Sequence, residues 1–215
     1  MPSNNPIYKI YNQIMKYVGF DYQIRRFIQK NTDRSKKVES ILEIGCGSAA
    51  TGLALSEIFT DAEVLFTDRD IHLLEALEKK VQGNPNIKLG ISDISSPKNI
   101  KLLSGNLIYL NNESFDIICA GANLGYSTNL KVTLDELYDI LKPGGQIIDL
   151  EMNDGLWGRL ISHLYNYPMV SIERIKYILD RKDVTGTTEK ISWRFSPLNI
   201  TRISFKINKL YSKKD

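Results

Sequence analysis

The sequence is poor in the residues that staple small secreted folds or ligate metals. Its 215 residues include two cysteines, Cys46 and Cys119, and two histidines, His72 and His163. Both cysteines lie in apolar segments, without the pairing density of a disulfide scaffold or the spacing of metal ligands, so neither framework is expected and a reducing cytoplasm fits best. Long apolar runs are lacking too. Nothing approaches the roughly 18 residues of a spanning helix, and the stretch from Met1 to Tyr11 has no signal-peptide core. The expectation is a soluble, cytoplasmic chain that touches a membrane at most peripherally. An excess of one charge is also missing: 28 basic against 25 acidic side chains leave +3, too mild for a nucleic-acid binder. Basic residues such as Arg25, Arg26, Lys36 and Lys37 are interleaved with Asp21, Asp33 and Glu39, the pattern of a solvated surface.

What is present is 42% hydrophobic sequence, enough to bury the core of a single domain over residues 1–215. Ile7, Ile10, Tyr11, Ile14 and Val18, and then Ile24, Phe27 and Ile28, recur at helical spacing, which gives an N-terminal helical cap over residues 1–38. Residues 39–151 alternate short apolar runs with amphipathic helices, the pattern of parallel strands joined by crossovers. Strands are expected at Ile41–Ile44, Val64–Thr67, Ile87–Leu89, Phe115–Ala120 and Gln146–Glu151. The helix after the fourth strand, marked by Leu130, Leu134, Leu137, Tyr138 and Leu141, is expected to stop at Pro143-Gly144-Gly145. Residues 152–215 give helices around Pro168 and an antiparallel pair, Ile191–Phe195 and Ile203–Leu210, across the turn Ser196–Asn199. Seven strands result.

The run Ile41-Leu42-Glu43-Ile44-Gly45-Cys46-Gly47-Ser48-Ala49 sets a glycine turn between a buried strand and a helix. Glycine permits a sharp bend and a close ligand approach, and the helix start offers unpaired N–H groups. Asp68 closes the second strand, where an acid in such folds accepts hydrogen bonds from both ribose hydroxyls of an adenosine. At this point a second reading stays open, with Asp68 or Asp70 serving only as a helix N-cap.

These segments resemble the motifs of class I S-adenosylmethionine-dependent methyltransferases. Ile41 to Gly47 is similar to the first motif, Thr67-Asp68-Arg69-Asp70 to the second, and Asp93-Ile94 to the acid and apolar pair after the third strand. Ser114 to Ile118 and Leu141 to Gly145 resemble the fourth strand and the turn before the fifth. The resemblance implies a Rossmann-like seven-stranded α/β sheet with helices on both faces and an antiparallel last strand. It also implies S-adenosylmethionine as cofactor. Glu43 would face the methionine ammonium, Gly45 and Gly47 would pass beneath methionine and ribose, Asp68 would hold the ribose with Arg69 beside it, and Asp93 and Ile94 would take the adenine. Acids suit a cationic sulfonium and would repel a dinucleotide pyrophosphate. Against a nicotinamide oxidoreductase stand Ala50 at the third fingerprint glycine and Glu43 inside the first strand. Ala49 departs from the third glycine of many family members, yet is small enough for close helix packing.

Methyl transfer needs alignment more than acid–base groups. The family's Asn/Asp-Pro-Pro-Tyr tetrapeptide is replaced by Gly121-Ala122-Asn123-Leu124-Gly125-Tyr126, which argues against amino-methylation of DNA bases or glutamine. Loops after the fourth and fifth strands offer Asn123, Tyr126, Glu151 and His163 to the acceptor, although His163 reads better as an ordinary helix residue than as a general base. Tyr8 and Tyr11 are candidates for a lid. The aromatic-rich cap suggests a small or amphipathic, lipid-like organic acceptor. Methylation of RNA or protein, or a non-catalytic cofactor-binding subunit, stays open as an alternative.

Overall fold

The computed structural model describes residues 13–180 and 183–211. Most of the first expected helix, with Tyr8 and Tyr11, lies outside them. Its end is helical over residues 13–17, followed by α1 (Phe20–Asn31). The core then runs β1 (Ser40–Ile44), α2 (Ala50–Ile58), β2 (Glu63–Asp68), α3 (Ile71–Val81), β3 (Ile87–Ile91), β4 (Asn99–Leu102), β5 (Leu107–Tyr109), β6 (Phe115–Ala120), α4 (Leu130–Ile140) and β7 (Leu141–Met152). The chain continues through α5 (Leu156–Leu164), α6 (Ile172–Ile178), β8 (Val184–Glu189), α7 (Leu198–Thr201) and β9 (Arg202–Lys209).

One sheet joins the strands in the order β5-β4-β3-β2-β1-β6-β7-β9-β8. Pairing is parallel from β3 to β7, while β9 runs antiparallel to both β7 and β8. Alternation along each strand feeds two cores. Ile41, Val64, Phe66, Ile117, Cys119, Ile148 and Leu150 pack toward α1, α2 and α3. Leu42, Ile44, Leu65, Ile118, Ala120 and Ile147 pack toward α4 and α6. Helices therefore cover both faces. The N-terminal α1 is part of the first core: Phe27 is buried with its ring edge-on to Phe195, 5.4 Å between centroids.

The sheet has nine strands where seven were expected. The two additional strands, β4 and β5, form a hairpin beyond β3, and it is anchored by Ile100, whose side chain occupies the space a Cβ on Gly90 would need. A four-residue and a three-residue strand with mostly exposed side chains carry no periodic signal. The edge strand is β8, Val184–Glu189, and not Ile191–Phe195. Ile191 and Phe195 are buried, as their apolarity suggests, but from a loop and a short 3₁₀ turn, while exposed threonines build the strand. Helix α4 ends at Ile140, earlier than Pro143. Leu141 is already extended, and Lys142-Pro143-Gly144-Gly145 forms an irregularity inside β7, consistent with the extended bias of a residue before proline.

Candidate active site

After Ile44 the chain bends through three residues with positive φ: Gly45 at 59°, Gly47 at 51° and Ala49 at 59°. A Cβ on Gly45 would lie 2.4 Å from Asn123 Nδ2, and that amide donates to the Ile44 carbonyl. Asn123, just past β6, thus braces the bend. A Cβ on Gly47 would meet no protein atom within 4 Å, so the backbone there borders open space.

Glu43 is buried at the end of β1, and its Oε2 accepts from the Gly52 N–H at 2.9 Å. Burial pushes its carboxyl up to about 8, Asp68 and Asp21 add to the rise, and backbone N–H groups of Gly52 and Thr51 oppose it. Asp68, also buried, clamps the loop: Oδ2 accepts from Gly47 N–H and Oδ1 from Asp70 N–H, each at 2.9 Å. The N-cap of α3 is Asp70, whose side chain accepts from His72 N–H. Each Asp68 oxygen keeps a second lone pair for a ligand.

The loop after β3 comes alongside, with Ser92 N–H donating to the Asp68 carbonyl at 3.1 Å. There Asp93 is exposed, its Oδ1 accepting from Ser95 N–H, and Ile94 is buried. Arg69 is exposed and stands over the Tyr126 ring, 5.2 Å from its centroid. The sequence-expected cofactor residues are thus gathered at the carboxyl ends of β1, β2 and β3.

A cavity of about 440 Å³ opens beside the loop. Its lining includes Glu43, Gly45, Gly47 and Thr51 at the loop, Lys16, Phe20, Asp21 and Ile24 from the N-terminal helical segments, and Gly121, Leu150, Ile161, Tyr165 and Arg202 from farther along the chain.

The four acceptor-side candidates are dispersed. Asn123 is buried in the loop brace. Tyr126 stacks edge-on with Tyr167 at 5.1 Å and donates its hydroxyl to the Tyr165 carbonyl. His163 is exposed on α5. Glu151 is wholly buried: Oε2 accepts from the Tyr167 hydroxyl and Oε1 from Met152 N–H, both at 2.7 Å. None of the four lines the cavity. Two strand positions earlier on the same side, Asp149 is equally buried, and neither of its oxygens has a hydrogen-bond partner among the described residues. Burial pushes both carboxyls up. Asp149, Tyr167 and Arg202 were not singled out from the sequence. A two-residue period from Glu151 points to Asp149, whereas nothing local marks Tyr167 or Arg202.

Residues 42–147 match the model of the family described as "Methyltransferase domain". A malonyl-[acyl-carrier protein] O-methyltransferase of Ilyobacter polytropus is 25% identical over 156 residues, covering 69% of this chain and 56% of that protein. A demethylmenaquinone methyltransferase of Bacillus velezensis is 30% identical over 150 residues, covering 67% and 59%. The chain thus spans less than two thirds of the length of these relatives. Among solved structures, a chain from the complex between the Haloferax volcanii Trm112 methyltransferase activator and a methyltransferase superposes with a TM-score of 0.70 at 10% identity, covering 94% of both chains. An O-methyltransferase family protein of Burkholderia thailandensis gives 0.67 at 10% identity, covering 95% of this chain and 59% of that one. At such identities the likeness is one of fold. By sequence match, motif order and sheet topology together, the chain belongs to the class I S-adenosylmethionine-dependent methyltransferases.

Proposed function

We propose that this chain, as a single domain, transfers a methyl group from S-adenosylmethionine to a small or amphipathic organic acceptor. The observation that carries the reading is a single cavity whose lining joins Glu43, Gly45 and Gly47 of the glycine loop to Leu150, Ile161 and Tyr165. The residues fit the cofactor. Gly47 borders space that a side chain would fill, and Glu43 is a buried carboxyl whose rise in pKa a cationic neighbour would reverse.

In this reading Glu43 faces the methionine ammonium, and Gly45 and Gly47 pass beneath methionine and ribose. Asp68 offers its remaining lone pairs to the ribose hydroxyls, while Asp93 takes the adenine amino group and Ile94 one ring face. Arg69, held on Tyr126, borders the adenosyl side. The cofactor supplies a methyl group on a sulfonium, activated toward in-line displacement. The protein supplies alignment and excludes water through the α1 cover.

The curated relatives are named for malonyl-[acyl-carrier protein] and demethylmenaquinone, which supports an organic acceptor. Among the described residues no helix is long and apolar enough to cross a membrane, and any membrane contact is proposed to be peripheral. A cytoplasmic location is proposed on the two free, buried cysteines. Calorimetric titration with S-adenosylhomocysteine tests the reading. A folded sample without affinity at millimolar concentration would overturn it.

A further inference from the structure

The cavity beside the glycine loop is lined from the N-terminal helical segments as well as from the sheet. Asp21, in the first turn of α1, reaches the loop itself, where its Oδ1 accepts from Ser48 Oγ at 2.8 Å. Glu43 and Asp21 line the same cavity, and they stand close enough for the Asp21 charge to add to the rise in the Glu43 pKa. Two acids so placed disfavour each other's ionised form, and a cation beside both relieves the repulsion. The position of Asp21 does not depend on a ligand. Phe27 and Ile28 bury α1 in the first core, and Glu57 of α2 accepts from Arg25 and from Gln29, the latter at 2.9 Å. Gly19, at φ 71°, turns the chain into α1 just ahead of Asp21. A packed helix thus presents the carboxylate, with Oδ1 held by Ser48 and Oδ2 without a partner among the described residues.

Within the methyl-transfer reading, on which this rests, we propose that Asp21 is a second carboxylate for the methionine ammonium of S-adenosylmethionine, which makes the N-terminal cap part of the cofactor site. Glu43 meets the ammonium from the buried end of β1, and Asp21 meets it from the exposed side of the cavity. An ammonium carries three N–H donors. Glu43 has one oxygen already held by the Gly52 N–H, which leaves donors for a further acceptor. The lining carries cations too, Lys16 and Arg202. The methionine end is a zwitterion, so both signs belong around it, and the place of Asp21 against the glycine loop gives it the positive end.

The test uses the full chain as wild type, Asp21→Asn and Ser48→Ala, with calorimetric titration of three probes. S-adenosylhomocysteine carries the ammonium and the carboxylate, its decarboxylated analogue carries the ammonium alone, and 5′-methylthioadenosine carries neither. Asp21→Asn should weaken binding of the first two by at least about fivefold, where the strength of an exposed ion pair meets that of a charge-assisted hydrogen bond. Binding of 5′-methylthioadenosine should change by less than about twofold in the same variant, which also reports that its fold is intact. Ser48→Ala keeps the carboxylate and should weaken each probe by less than about twofold. Unchanged affinity for S-adenosylhomocysteine in Asp21→Asn would overturn the proposal. So would a loss shared by 5′-methylthioadenosine or matched by Ser48→Ala, which would assign Asp21 to holding the loop. A loss with S-adenosylhomocysteine but not with its decarboxylated analogue would overturn it too, by taking the ammonium away from Asp21. A wild type that binds none of the three probes would instead remove the methyl-transfer reading beneath the proposal.

Discussion

Cofactor binding should be linked to proton release from Glu43. The carboxyl is pushed up to about 8, chiefly by burial and secondarily by Asp68 and Asp21. At pH 7 such a group is about nine-tenths protonated. An ammonium and the charge around it favour the ionised form, so binding draws the pKa back toward the ordinary carboxylate range and expels about 0.9 of a proton at pH 7. Affinity for S-adenosylhomocysteine, which keeps the ammonium, should then rise about tenfold per pH unit up to pH 7 and level off above 8. Calorimetry in buffers of different ionisation enthalpy reads the proton count, and dissociation constants between pH 6 and 9 read the slope. Glu43→Gln retains an acceptor for the Gly52 N–H but cannot titrate, so it should bind more weakly at pH 8 and lose the slope. A release below about 0.2 of a proton in wild type at pH 7, or an unaltered slope in Glu43→Gln, would refute the reasoning. The same group acts on the fold. Its folded pKa lies above the unfolded value, so the native state holds the extra proton. Stability without ligand therefore falls as pH rises from the ordinary carboxylate range to about 8, and this contribution is flat beyond.

Other substitutions separate loop geometry from ligand contact. Asp68→Ala orphans the Gly47 and Asp70 N–H groups and should cost about 3 kcal/mol of cofactor affinity; calorimetry showing less than a twofold change, on the order of 0.4 kcal/mol, would remove Asp68 from the site. Gly45→Ala meets both positive φ and Asn123, so its unfolding free energy from urea titration should fall by more than the roughly 1–2 kcal/mol of left-handed strain alone. Gly47→Ala has open space and should show that strain only, with a larger loss in S-adenosylhomocysteine affinity. Equal affinity in Gly47→Ala and wild type would exclude close passage of the ligand. Tyr167→Phe leaves Glu151 Oε2 and the Gly125 N–H without their partner and should cost about 1–3 kcal/mol in urea unfolding; an unmoved midpoint would show that water replaces the hydroxyl.

The β1–loop–α2–β2 unit was legible because its determinants are local. Ile41 to Ile44 alternates between the two cores, Gly45 and Gly47 mark the bend, and Asp68 closes β2 within hydrogen-bonding reach of Gly47. Each feature is set by residues within one β-α-β crossover. The β4–β5 hairpin was not legible, because Ile100 finds its place only against Gly90 of a neighbouring strand. The edge strand β8 escaped for a related reason. Its threonines are exposed and gain their pairing from β9, while the more apolar Ile191–Phe195 segment is buried without pairing at all.

The acceptor side depends on contacts remote in sequence, and above all on register. Phe20 and Arg202 meet across nearly the whole chain, and no local pattern pairs them. Glu151 looked suited to the acceptor because it ends a strand at the correct rim. Side chains on a strand alternate, however, and β7 is held so that Asp149 pairs with Ala120 and Phe205, and Met152 with Arg202. That register sends Leu150 into the cavity and Glu151 beneath Tyr167. A shift of one residue would exchange them, placing the Glu151 carboxylate in the cavity in place of Leu150. The pairing of β7 with β9 thus decides which side chains of β7 the cavity receives.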